Sequence, residues 1–333
     1  MSTIPITFNE TYPSYTVIGG GERNGLSGLS VILLNRGGGF SRRKLFMDLE
    51  KTGFDTVVSV EPEPVRYDIE ELSARFPFVR FVLLHGSVNL GGQINLAVSE
   101  LDTPLFFVLW NDLRIITGGA ARRMAERLTL DDTAAGDVSF KRLCTVPVLQ
   151  NSRYDTLPTL IAPKLRRNNI ETFSLYPLVE GLFSLYPFDG VGIYDRTRFM
   201  QLGGFDPMFK SNFWQLMDFG FRARLWGEEI SATQSLRLSY DSSVPVEDTT
   251  VGSDYFRFYL KNLAPVFRHD NAILPLYRFP GYLLRSSGDI FSAWEDFSDS
   301  RRWVNKNRFR WRCDLRTVTN GWNLDAAGDP ERL

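Results

Sequence analysis

Four short stretches of this 333-residue chain place side chains where they could act on a bound ligand. Asn89-Leu90-Gly91-Gly92-Gln93-Ile94-Asn95 sets two amides around a pair of glycines. Amides both donate and accept hydrogen bonds, and glycine lets a backbone come close to a ligand; the same run also reads as an N-capped helix start. In Leu105–Asp112 an apolar run ends in Trp110, Asn111 and Asp112. The Asp112 carboxylate stands alone there, and one carboxylate is a poor site for Mg²⁺ or Mn²⁺, which take several oxygen ligands. Glu61 closes another apolar run, Thr56–Val60. It reads either as a ligand-facing acid or as a solvated loop carboxylate. Finally, Gly203-Gly204-Phe205-Asp206 precedes Asp218 and Arg222. On a helix the last two form an i,i+4 ion pair, while Asp206 suits the turn after Gly204.

Other patterns exclude chemistries. Gly37–Gly39 lacks the Gly-Lys-Ser/Thr of a phosphate loop, and Gly19–Gly21 with Gly25 does not fit dinucleotide spacing. His85 and His269 have no Ser or Cys partner at a meaningful spacing. Two cysteines, Cys144 and Cys313, build no disulfide framework and, with two histidines, no familiar zinc site.

The elements that must hold these residues follow a strand-then-helix rhythm. Ser30–Leu34, Thr56–Val60, Val79–Leu84 and Leu105–Leu109 are continuous apolar runs, as in strands buried on both faces of a parallel sheet. Between them lie a helix capped by Ser41 and stopped at Gly53, a helix over Ile69–Arg75 and a helical period over Gln93–Leu101. The pattern predicts an α/β fold, a three-layer α/β/α sandwich around a central, mostly parallel sheet. In such sheets ligands bind beyond the strands' carboxyl ends. Those ends are Asn35-Arg36, Glu61, Asn89-Gly91 and Asn111-Asp112, so Asn35, Glu61, Asn89 and Asp112 should share one edge. Residues 1–28 read as an arm or short edge strands. From about residue 140 the pattern turns irregular, with a helix over Trp214–Trp226.

In order and spacing, these landmarks resemble the family 2 glycosyltransferases of the GT-A fold. The resemblance covers about residues 29–265, with 266–333 a basic-aromatic extension. It implies transfer of a hexose from a nucleotide diphosphate sugar to a glycan or lipid-linked acceptor by inverting displacement. It further implies nucleotide contacts from Asn35, Arg36, Glu61, Asn89, Gly91, Asn95 and Asn111, with Asp112 at the diphosphate or a metal, Mg²⁺ or Mn²⁺. The chain departs from the family at the chemistry. Trp110 stands where the first Asp of the Asp-x-Asp motif belongs, and Gln215-Leu216 replaces the Glu-Asp pair that supplies the base. Asp218 is then the remaining carboxylate for catalysis on that helix. The rival implication is a non-catalytic, glycosyltransferase-like binding or scaffolding protein.

Composition narrows the setting. Lys+Arg (38) nearly balances Asp+Glu (39), so no overall field favours nucleic acid. No basic-then-apolar leader opens the chain, and Pro104–Trp110, the longest apolar run, is too short for a bilayer. A cytoplasmic location is expected. Residues 301–316, with six Arg and one Lys against one Asp, would allow a peripheral membrane contact or a helix docked through its aromatics.

Overall fold

The computed structural model describes residues 13–37, 41–63, 68–134, 141–166, 169–286, 289–320 and 322. The opening segment read for a leader, Gly38 and Gly39 of the glycine run, and residues 323–333 of the extension lie outside them.

Among the described residues, nine strands form one sheet. They are β1 (Tyr15–Gly19), β2 (Leu29–Leu34), β3 (Val57–Glu61), β4 (Val79–Leu84), β5 (Leu105–Trp110), β6 (Leu113–Thr117), β7 (Lys141–Gln150), β10 (Gly192–Asp195) and β11 (Glu228–Tyr240). A separate antiparallel pair, β8 (Leu160–Arg166) and β9 (Asn169–Leu175), follows β7 in the chain. Across the sheet the order is β1-β4-β3-β2-β5-β10-β7-β11-β6. Strands β2, β3, β4 and β5 run parallel, and β7 and β11 rejoin that direction through the antiparallel β10. The edge strands β1 and β6 run the other way.

The apolar runs became strands for the expected reason: every residue of β2, β3 and β5 is buried. Successive side chains point to opposite faces, and Phe106 and Phe107 show what covers each. Phe107 meets Phe54, which follows helix α1 (Arg42–Thr52). Phe106 stacks on Tyr194 of β10 at 4.9 Å and meets Phe199 of helix α5 (Arg196–Leu202) edge-on. The Ser41 hydroxyl caps α1 and Gly53 ends it at φ 80°, as the sequence indicated. Helix α2 is Ile69–Arg75, α3 is Leu90–Ser99 and α4 is Ala121–Ala134. Helix α6 (Asn212–Leu225) lies on the Phe106 face, with Phe219 stacked on Phe205 at 4.3 Å.

The region expected to be irregular after residue 140 holds three interior strands of the sheet instead, β7, β10 and β11. Pro147 in β7 concealed one of them, because proline lacks a ladder donor. It pairs with Thr233 of β11, just where the register shifts. The C-terminal residues pack into the same core: Phe297, Val304, Trp311 and Val318 are buried. Helices α7 (Ser253–Phe258), α8 (Phe279–Ser286), α9 (Ile290–Asn307) and α10 (Leu315–Asn320) carry this region, and no described helix is long and apolar enough to cross a membrane.

Candidate active site

The Asn89–Asn95 stretch and the Gly-Gly-Phe-Asp turn bind each other. Asn95 receives Phe205 N–H at 3.0 Å and donates to Phe205 C=O at 2.8 Å. Asn89 caps α3 through Gly92 N–H and donates to the carbonyls of Pro207 and Phe209, both at 2.7 Å. Gly91 N–H donates to the Gln215 side chain at 2.7 Å, and Gln215 in turn donates to Asp206 C=O at 2.8 Å. A Cβ on Gly91 would sit 2.3 Å from Phe205 Cβ, and one on Gly204 (φ +67°) 2.3 Å from Asn95 Oδ1. The side chains of Asn89 and Asn95, with the backbone of Gly91, therefore clamp α3 to the Gly-Gly-Phe-Asp turn. Their described partners are protein groups, and Gln215 is the far end of the clamp.

Asp218 has a similar fate. It is fully buried, with Oδ2 accepting from Arg222 at 3.0 Å and Oδ1 from Lys261 at 2.7 Å and Asn262 at 2.9 Å. Burial pushes its pKa up, but Lys261 and Arg222 outweigh that and hold it below the ordinary value. Lys261 also donates to Asp206 at 2.8 Å. A carboxylate enclosed this way and held ionised by two cations is a poor proton acceptor for a substrate. The i,i+4 pair is what the geometry supports, within a network that fixes α6 against 259–263.

At the carboxyl edge of the sheet the remaining residues converge. Asn35 donates to Val60 C=O at 2.7 Å and reaches Glu61 Oε1 at 3.4 Å. That Glu61 oxygen also pairs with Arg42 and accepts from Ser59, so Glu61 ties β3 to α1. Asn111 accepts from Arg36 N–H at 3.3 Å and donates to Gly37 C=O at 2.9 Å, holding the loop after β2. The Arg36 guanidinium lies 3.9 Å from the centre of the Trp110 ring, 3.4 Å from Asp112 Oδ1, and against Asp189. Asp112 is buried and accepts from Ser242 at 2.5 Å through its other oxygen. Of the four residues expected at one edge, Asn35 and Glu61 touch, Asp112 joins them through Arg36 and its loop, and Asn89 turns to the clamp.

Several members of this site were not read from sequence. Asp189 adopts φ 57° and Gly190 φ 72°, a left-handed pair that aims the Asp189 carboxylate at Arg36. Trp110 Nε1 donates to Asp189 C=O at 2.9 Å, and Tyr240 at the end of β11 donates to its carboxylate at 3.1 Å. Burial pushes Asp189 up to about 6, with Arg36 and Tyr240 pulling the other way. Asp189 also lines a cavity of about 270 Å³, together with Leu90, Lys210, Phe213, Leu216 and Glu247. The buried Tyr186 hydroxyl donates to Glu247. The Asp-Gly turn at 189–190 was the available signal. The loop after β11 was not anticipated because β11 itself was not.

A resident divalent metal does not fit these residues. No cluster of three or more His, Cys, Asp or Glu is arranged to hold one among the described residues. Beside Asp112 is the Trp110 ring with the Arg36 guanidinium laid on it. Asp112 Oδ1 has no described hydrogen bond, and the charge facing it is Arg36. A second cation entering there would meet that guanidinium.

No protein-family model matches the chain, and no curated protein is similar to it in sequence. Among solved structures it is similar to GalNAc-T7 with UDP, GalNAc and Mn²⁺, at 12% identity and a TM-score of 0.49, over 84% of this chain and 56% of that one. It is similar to Staphylococcus aureus TarS at 14% identity and a TM-score of 0.48, over 84% of this chain and 55% of that one. TarS 1–349 in complex with UDP-GlcNAc matches at 10% identity and a TM-score of 0.44, over 91% and 77%. The chain thus spans a little over half the length of the first two.

Proposed function

We propose that the chain is a nucleotide-sugar glycosyltransferase of the GT-A, family 2 kind that works without a resident metal. The observation carrying this reading is the convergence at the sheet's carboxyl edge. A stacked guanidinium, Arg36, and a buried acid, Asp112, follow strands β2 and β5 beside a cavity lined by three further carboxylates, Asp189, Glu247 and Asp248. Breaking the bond to the anomeric carbon loads negative charge on the diphosphate, and a preorganised cation meets that charge with little rearrangement. Arg36 supplies it, through a planar fork suited to phosphate oxygens. Asn35 and Asn111 hold the loop that presents it. The hexose would pass to a glycan or lipid-linked hydroxyl with inversion.

Within the same proposal the protein is cytoplasmic, with a peripheral contact through the exposed Arg308, Phe309 and Arg310. Two other aromatics of 301–316 face inward: Trp303 stacks on Trp226 and Trp311 is buried.

Calorimetry against a panel of nucleoside diphosphates and their sugars, in EDTA, tests the donor site. Release of nucleoside diphosphate from the bound sugar tests turnover. Binding and turnover in EDTA are expected; binding only with added Mn²⁺ would refute the metal-free reading. A non-catalytic role is favoured by one observation, that Gln215 and Trp110, at the positions where the resemblance implies acids, are both tied up in hydrogen bonds within the fold. It predicts nucleotide binding without turnover.

A further inference from the structure

We propose that Glu247 is the general base of this site, taking the proton from the acceptor hydroxyl inside the cavity it shares with Leu216 and Asp189. The inference rests on the transferase reading and completes it. Helix α6 offers no acid that could take this proton. It turns Phe213 and Leu216 to the cavity, Gln215 is clamped to Gly91, and Asp218 is enclosed. Glu247 lines the same cavity from the loop after β11. The carboxylate missing from the helix is thus present in the cavity on another segment.

Three features suit Glu247 to accept a proton. First, its position is fixed, because the buried Tyr186 hydroxyl reaches its two oxygens at 3.1 and 3.0 Å. Second, it forms no ion pair among the described residues, whereas Asp189 is engaged by Arg36 and Tyr240. Third, the cavity adjoins the charge centre, since Asp189 lines the one and holds Arg36 in the other. The charged and titratable groups around Glu247 are Asp189, Lys210, Asp248 and Tyr186. Burial, with the Asp189 charge adding to it, pushes Glu247 up to about 7, against the pull of the Tyr186 hydrogen bond. A base of that strength suits proton transfer near neutrality.

The step balances without another reactant. The acceptor oxygen bonds to the anomeric carbon as the bond from that carbon to the diphosphate oxygen breaks. The nucleoside diphosphate leaves with the electron pair, and the hydroxyl proton passes to Glu247.

The test compares wild type, Glu247→Gln and Tyr186→Phe, with nucleoside diphosphate affinity and thermal melting measured beside transfer. Glu247→Gln should melt and bind nucleotide as wild type does but lose about 10²–10⁴-fold in kcat. Wild-type activity should rise with pH through a limb near 7, where Glu247 ionises. Tyr186→Phe removes a hydrogen bond that favours the carboxylate, so the limb should move to higher pH. This second variant keeps the proposal testable should Glu247→Gln fold poorly. A folded Glu247→Gln enzyme with undiminished transfer, or a limb that Tyr186→Phe leaves in place, overturns the base assignment and leaves the transferase reading standing. A wild type that binds nucleotide yet turns over no donor overturns the transferase reading, and the base with it.

Discussion

Replacing Asp218 by asparagine separates a structural acid from a catalytic one. Its two oxygens face Lys261 at 2.7 Å and Arg222 at 3.0 Å, and all three side chains are buried. Asparagine offers one acceptor oxygen and an NH₂ group, so a donor would meet a donor on one side and two cations would lose their counter-charge. Breaking a buried pair by removing one partner costs about 3–5 kcal/mol. Unfolding entropy is about 2.1 cal/mol/K per residue, so over roughly 300 ordered residues the melting temperature should fall by about 5–8 °C. Acid should erase the difference. The Asp218 pKa is depressed in the folded state, so its contribution is full above the ordinary carboxylate value, near 4, and is lost as pH falls through the lower, folded one. Scanning calorimetry at neutral and acid pH measures the shift, and transfer by the folded fraction should match wild type. A variant that melts like wild type but has lost transfer by orders of magnitude would refute this reasoning and restore Asp218 as the base.

Other consequences can be checked separately. Arg36→Met should weaken nucleoside diphosphate binding by about 10- to 150-fold, the loss of about 1.5–3 kcal/mol of charge-assisted hydrogen bonding; unchanged calorimetric affinity would remove Arg36 from the site. EDTA should leave both binding and turnover intact, and abolition of turnover restored by Mn²⁺ would count against the metal-free site. Gly91→Ala drives a methyl against Phe205 and Gln215 and should cost about 1–3 kcal/mol in a denaturant melt. A neutral result there would show that the clamp yields easily.

How much the sequence disclosed follows from what each element buries. Strands β2 to β5 were legible because burial on both faces leaves almost no polar residue to interrupt the run. Strand β11, Glu228–Tyr240, carries a different signal: Ile230, Ala232, Leu236, Leu238 and Tyr240 alternate with polar residues, Gln234 breaks the series where the register shifts, and no continuous apolar run of the β2–β5 kind marks it. Missing it hid the loop that carries Ser242 and Glu247. The motif residues were found, but spacing alone does not say whether an amide faces a ligand or a carbonyl of its own chain. Asn89 and Asn95 took the second course, because the Gly-Gly turn that receives them is more than a hundred residues away in sequence. Arg36, Asn111 and Asp112 touch one another at the sheet's carboxyl edge, after strand ends that the apolar pattern had located, and Arg36 reaches the cavity-lining Asp189.

The guanidinium on Trp110 arrives with anions of its own. Asp112 and Asp189 already neutralise Arg36, so the diphosphate of the proposed donor would have to exchange with them rather than fill an empty positive hole. Affinity is thereby reduced by whatever fraction of the time the internal pairs are closed. On the proposed function, the same two carboxylates would reclaim Arg36 once a sugar had been transferred. If the proposed transferase reading holds, Asp112 and Asp189 act as a tethered competitor for the departing diphosphate, and turnover would depend on how quickly they win that competition.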